Sequence, residues 1–236
     1  FCTVGFFDEV DFLEDLGCKS IKIASADVNH LPLIRKAAKT GMCIQLDTGM
    51  STIGEVEVAV DMILKEGNDN IIVLKCTSAY PAALRDANLL TIPNLAQTFG
   101  VISGFSDHTL GATAPVVATT LGAQVVEKHF ILDKSIGGAD ADFSLDKEEF
   151  KEMIQAVRDT EMLLGKVDYT MTEQKKKSRR FSRSLYVAKD IKKGEVFTEE
   201  NIRSVRPGYG MHPKYFNDVL GEVAEKDYEF GDRFEK

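Results

Sequence analysis

The residues best suited to chemistry are two histidines, His108 in "GFSDHT" and His129 in "EKHF". Each follows a short apolar run that reads as a buried strand. One histidine at a strand end is ordinarily a hydrogen-bonded structural residue. Two at equivalent ends of neighbouring strands offer a pair of imidazole ligands to a divalent metal, with positions left for substrate and water. Asp107 could orient that loop or support the ligand from behind. The other histidines, His30 and His212, read as structural.

Lysines inside apolar runs are the second signal: Lys22 in "IKIAS", Lys75 in "VLKCT" and Lys128 in "VEKHF". A buried ammonium needs a compensating partner, and a phosphate or carboxylate would serve. Lys22 is the stronger candidate because Ser25 adds a hydroxyl three residues on. Lys75 reads equally well as an outward residue with its stem under a helix. The stretch "GGADADFSLD" (137–146) reads either as a flexible acidic loop or as a loop closing over a polyol, with Asp140 or Asp142 accepting hydroxyl hydrogens.

These residues must be held by something. Six short runs rich in Val and Ile, at 1–4, 20–25, 43–48, 70–77, 100–106 and 123–130, read as buried parallel strands. Helical patterns separate them. "DEVDFLEDLG" places Val10, Leu13 and Leu16 on one face, and "LPLIRKAAKTG" stops at Gly41. Thr52 with Glu55, and Asp146 with Glu149, have capping-box spacing. Repeated β-α units imply a parallel sheet with right-handed crossovers. No GxGxxG follows a strand, which weakens a dinucleotide-binding reading. Polar residues cluster just after the strands, where a (β/α)8 TIM barrel gathers them at one mouth. After residue 170 the pattern becomes a small β-rich domain. The predicted division is a partial barrel over 1–170, a linker over 171–180 and the small domain over 181–236.

Composition narrows the class. The 236 residues are 44% apolar and 28% charged, with a net charge of −8. Residues 1–170 carry −11 and residues 171–236 carry +3, which also suggests two units. The basic excess, with "KKKSRR" at 175–180, is too small to point to nucleic acid and reads as a solvated linker. No apolar run is long enough to span a membrane, and no signal-peptide pattern opens the chain. Four scattered cysteines without CxxC read as reduced thiols of a cytoplasmic protein.

Taken together, "KIAS", "DTGMSTIGE", "CTSAYP", "GFSDHT" and "EKHF", each at a strand end, resemble the sialic acid synthase family, which includes pseudaminic and legionaminic acid synthases. "SRSLYVAKDIKKGEVFTEENIRSVRPGYG" resembles that family's C-terminal antifreeze-like (SAF) domain. The resemblance implies a TIM-barrel synthase that condenses phosphoenolpyruvate with an N-acylated amino sugar and releases phosphate by C–O cleavage. It implies that His108 and His129 hold a divalent metal, usually Mn2+, with Mg2+ or Co2+ as alternatives. Thr3, Lys22, Ser25, Ser78, Tyr80 and Ser106 would surround phosphoenolpyruvate. Asp27 would stand near the reacting carbons and Asp140 would hold the sugar. Phe181 would contact the acyl group. Arg206 would reach a partner subunit's active site in a domain-swapped homodimer.

The sequence departs from that pattern in places. If "FCTV" is strand three, two strands precede it, and the natural protein is expected to extend by about 100 residues at its N-terminus, as an eight-unit barrel requires. Asp47 stands where many members have serine, and its carboxylate would repel phosphoenolpyruvate unless paired or rotated away. Ser78 replaces a common asparagine. A related keto-deoxy sugar acid synthase is a second reading, though such enzymes lack this C-terminal domain. A carbohydrate-binding protein built on that domain is a third, though a binder has no need of the paired histidines.

Overall fold

The computed structural model describes residues 1–235. The chain forms two compact units, Phe1–Lys166 and Val167–Lys236.

The first unit is built on β1 (Cys2–Thr3), β2 (Ser20–Ile23), β3 (Cys43–Asp47), β4 (Ile71–Cys76), β5 (Ile102–Asp107) and β6 (Val126–Lys128). All pair in parallel, and their order in the sheet is their order in the chain. A doubly wound sheet reverses direction from its first strand; this one does not. It is an α/β arc of the kind a barrel is made from, with no pairing of β1 to β6 among the described residues. These six strands therefore do not close an eight-stranded barrel.

Five helices follow the strands in turn: α1 (Phe7–Asp15), α2 (Leu31–Lys39), α3 (Ile53–Lys65), α4 (Thr91–Phe99) and α5 (Thr113–Thr120); α6 (Lys147–Leu164) follows β6 after a long loop. The expected capping boxes form. Glu55 accepts from the Thr52 N–H at 2.7 Å, and Glu149 from the Asp146 N–H at 3.0 Å. On α1, Val10 and Leu13 are buried, but Leu16 is exposed, because the helix ends before it.

Strand alternation sorts the side chains. Ile21 and Ile23 of β2, with Ile44 and Leu46 of β3, pack in one core with Leu33, Ile34, Val56 and Ile63 of the helices. The residues between them, Lys22, Gln45 and Asp47, turn to the other face, where they are also buried. The two faces of the sheet thus differ: an apolar one under the helices and a polar one that forms the inside of the arc.

The strand expected over 123–130 is shorter. The chain beyond Lys128 pairs instead with Leu145, which donates to the His129 carbonyl and accepts from the Ile131 N–H, both at 2.9 Å. That brings the 137–146 loop back beside His129.

The second unit is less regular than its β-rich sequence suggests. One antiparallel pair, β7 (Ser184–Val187) with β8 (Ile202–Val205), is joined by single bridges such as Ile191 to Tyr228. Its core comprises Leu185, Val187, Ile191, Phe197, Ile202, Val219, Ala224 and Phe234. The basic run expected as a linker is largely helical, in α7 (Glu173–Ser178). Thr172 caps it, and Lys175, Lys176 and Lys177 lie in its last turn, where cations favour the helix dipole.

Candidate active site

The polar face of the arc carries a buried charge cluster. Lys22 Nζ lies 2.8 Å from Asp47 Oδ2 and also bonds the Glu127 carboxylate from β6. Ser106 donates to the same Glu127 oxygen at 3.1 Å. One ammonium thus serves two carboxylates. Asp47 Oδ1 and Glu127 Oε2 are buried without a hydrogen-bond partner. Burial raises the Asp47 pKa to about 6, and Glu127 adds repulsion; Lys22 offsets only part of this. Burial disfavours the Lys22 ammonium, but its two carboxylates outweigh that and hold its pKa above the usual value.

Above this cluster stand the two histidines, their ring centres 5.2 Å apart and edge to face. His108 Nδ1 lies 2.9 Å from the Thr77 carbonyl. A carbonyl only accepts, so Nδ1 carries the proton and Nε2 is left as a lone-pair donor. His129 Nδ1 lies 3.5 Å from the exposed Asp140 Oδ2, a charge contact rather than a hydrogen bond, and its Nε2 makes no hydrogen bond among the described residues. A second partner that fixes the tautomer is the usual support of a metal-bound histidine. Burial, and then His108 beside it, push the His129 pKa down. For His108, the Cys76 thiol and the Thr77 carbonyl outweigh the opposing effect of burial and raise it. Two imidazoles with free Nε2 atoms fit a divalent cation. Among the described residues, no three His, Cys, Asp or Glu side chains converge as a complete cage, so other ligands would have to be water or substrate.

Between cluster and histidines lies a ring of small polar groups. The Gly49 N–H donates to Ser25 Oγ at 3.1 Å. A Cβ on Gly49 would sit 2.9 Å from Ser25 Oγ, 3.0 Å from Cys76 Sγ and nearer still to Ser78 Oγ. Glycine is therefore required by space at this position. The Ser78 hydroxyl is buried and unpartnered. Tyr80 lies over His108 with ring centres 4.3 Å apart, and Phe143 packs on His129 at 5.0 Å.

The matches to known families follow the same division as the fold. A model described as the NeuB family matches residues 1–169, and a SAF domain model matches residues 182–231. The chain belongs to the NeuB family. It is 47% identical over 225 residues to a pseudaminic acid synthase of Campylobacter jejuni, covering 95% of this chain and 66% of that protein. An N,N'-diacetyllegionaminic acid synthase of the same species is 36% identical, with 96% and 71% covered. The crystal structure of the spore coat polysaccharide biosynthesis protein SpsE of Bacillus subtilis superposes with a TM-score of 0.67 at 35% identity, covering 98% of this chain and 70% of that one. The chain thus spans just under two thirds of the pseudaminic acid synthase it matches.

Within this NeuB unit, Lys22, Ser25, Ser78, Tyr80, Ser106, His108, His129 and Asp140 are brought together by the contacts above. Thr3 pairs in register with Lys22 on β1 and so shares its face at the edge of the sheet. Asp27 sits in the turn after β2, half-buried, with its backbone bonded to Ala24 and His30. Phe181, exposed and under the Arg180 guanidinium at 4.7 Å, and Arg206, also exposed, belong to the second unit, Arg206 within the SAF match and Phe181 just before it. Asp47 is paired with Lys22, but that lysine is shared with Glu127, so the pairing offsets its charge only in part. His212 caps a turn by accepting from the Lys214 N–H.

Two residues of the cleft were not singled out from the sequence, Glu127 and Cys76. Glu127 lies two residues before His129, so period-two alternation puts it on the same face; that signal was available. The third lysine, Lys128, takes the opposite face and forms a buried ion pair with Asp107 at 2.6 Å. Of the two partners expected for a buried lysine, phosphate or carboxylate, it has the carboxylate.

Proposed function

We propose that this chain is the larger part of a nonulosonic acid synthase of the pseudaminic or legionaminic type, joining phosphoenolpyruvate to an N-acylated amino sugar. The observation that carries this reading is the pair of histidines with Nε2 free, facing Lys22 and the hydroxyls of Ser25, Ser78 and Ser106 in one cleft. Greater identity to the pseudaminic acid synthase, 47% against 36%, favours a diacetamido-trideoxy sugar of that series over N-acetylmannosamine. The SAF domain match speaks against a keto-deoxy sugar acid synthase without that domain. A cytoplasmic location goes with this reading, since phosphoenolpyruvate is a cytoplasmic metabolite.

Lys22 and the hydroxyls of Thr3, Ser25, Ser78 and Ser106 bind the enol phosphate and its carboxylate by charge-assisted hydrogen bonds. His108 and His129 would hold a divalent metal, most simply Mn2+, which would supply Lewis-acid polarisation of the sugar aldehyde. Asp140 accepts a sugar hydroxyl hydrogen. The new bond joins the methylene carbon of phosphoenolpyruvate to the aldehyde carbon, whose oxygen gains a proton. Water adds to the cationic former enol carbon, and phosphate leaves with its bridging oxygen. Asp27 stabilises that cation or takes the water's proton. Phe181 and Arg206 serve the sugar's acyl group and the partner subunit's cleft in a domain-swapped homodimer. The domain limits are 1–170, 171–180 and 181–236.

Phosphate release from phosphoenolpyruvate with Mn2+, measured on full-length protein with N-acetylmannosamine and two diacetamido-trideoxy hexoses, tests this. Release with one sugar only, abolished in His108→Ala and His129→Ala, is expected. No release with any of them would overturn the reading.

A further inference from the structure

Three lysines lie on the strands of the sheet, and two are matched internally: Lys22 by Asp47 and Glu127, Lys128 by Asp107. Lys75 is different. Its Nζ donates to the Cys76 carbonyl at 2.5 Å and to Thr77 Oγ1 at 3.0 Å, both uncharged. Among the described residues no carboxylate comes within ion-pair distance of it. Burial lowers its pKa, as expected for an ammonium short of a counter-charge. An ammonium has three N–H donors, and two are engaged.

Lys75 opens into a cavity of about 470 Å³ whose polar lining is Thr48, Ser51, Asn88 and Thr91; no acidic side chain lines it. The hydroxyls of Ser51 and Thr91 have no partner among the described residues. Thr48 donates to the Leu74 carbonyl and keeps its acceptor capacity. The end of α3 nearby is already capped by Thr52 and Glu55, so the positive character of the cavity comes from Lys75. By alternation, Lys75 faces away from Cys76, which lies against His108. The cavity is therefore on the helix side of the sheet, apart from the cleft.

We propose that this cavity is a second anion site, in which Lys75 with the Ser51 and Thr91 hydroxyls holds a phosphate group, free or on a small metabolite. The proposal does not depend on the synthase reading, since it uses none of the cleft residues.

Residue-resolved acetylation tests it. The protein is treated with trace acetic anhydride, and modification of Lys75 and Lys22 is read separately by mass spectrometry. Inorganic phosphate, methyl phosphate and chloride at matched ionic strength are the probes. Phosphate at about ten times its dissociation constant should slow acetylation of Lys75 about tenfold, with chloride ineffective. Protection by methyl phosphate as well would mean that an esterified group is accepted; protection by inorganic phosphate alone would restrict the site to the free ion. Ser51→Ala should weaken protection at Lys75 and leave that at Lys22 unchanged. Absence of protection at Lys75, equal protection by chloride, or an unaltered response in Ser51→Ala would overturn the proposal.

Discussion

Replacing Asp47 by asparagine tests how the cleft balances its charge. The Asp47 side chain is 6% exposed and 2.8 Å from Lys22. Burial, with Glu127 as an added repulsion, moves its pKa from 3.8 to about 6. A folded-state value above the unfolded one means that folding takes up a proton between the two. The associated stabilisation is fully present below about pH 4 and is lost as the pH rises through about 6. Two pK units correspond to about 3 kcal/mol. Asparagine does not titrate, so Asp47→Asn removes this dependence while other groups cancel in the comparison. Urea unfolding of both proteins at about pH 4 and about pH 8, followed by circular dichroism, measures it. Wild type should lose about 2.5 kcal/mol more than Asp47→Asn between these values, since the unfolded carboxyl is already half ionised near pH 4. A difference below about 0.5 kcal/mol would mean that Lys22 keeps Asp47 ionised throughout, and the reasoning fails.

Gly49→Ala should abolish phosphate release and cost about 1–3 kcal/mol of stability, because its Cβ meets Ser25, Ser78 and Cys76; an active, equally stable variant would show that the ring of hydroxyls is loose. Lys128→Met should cost about 3–5 kcal/mol in urea unfolding by leaving Asp107 charged and buried, and Lys128→Met with Asp107→Asn should recover part of it. Equal stabilities of single and double variants would argue against that ion pair.

Most of the fold was legible because its signals are local. Alternation of Lys22 between Ile21 and Ile23, glycine at 41, and capping pairs at 52–55 and 146–149 each act within a few residues. The site was legible where a residue type is unusual for its setting, as with His108, His129 and Lys22. Glu127 was harder, because its meaning lies in a contact with a residue 105 positions away. The same holds for Lys128 and Asp107, whose pairing depends on β5 and β6 lying in register. The shortened β6 arose from competition by Leu145, which no local pattern announces. In the second unit, turn-rich sequence suggested strands, but single bridges between loops satisfy much of the backbone.

On the proposed function the cleft receives an anion, yet it carries two carboxylates beside one lysine, and the raised Asp47 pKa relieves this only below about pH 6. Below about pH 6 Asp47 holds its proton and adds no charge beside Lys22. Above it Asp47 adds a negative charge, which would oppose an enol phosphate there. The KM for phosphoenolpyruvate should therefore rise between about pH 6 and pH 8, by at most tenfold per unit. Phosphoenolpyruvate itself also titrates, so the comparison with Asp47→Ser isolates the protein's share: that variant should show a shallower rise. The two carboxylates also hold the Lys22 ammonium in place before substrate arrives, so Asp47→Ser should trade a lower KM above pH 7 for a less fixed lysine and a reduced kcat. Parallel KM profiles in the two proteins would place Asp47 outside the binding step and leave it only the task of anchoring Lys22.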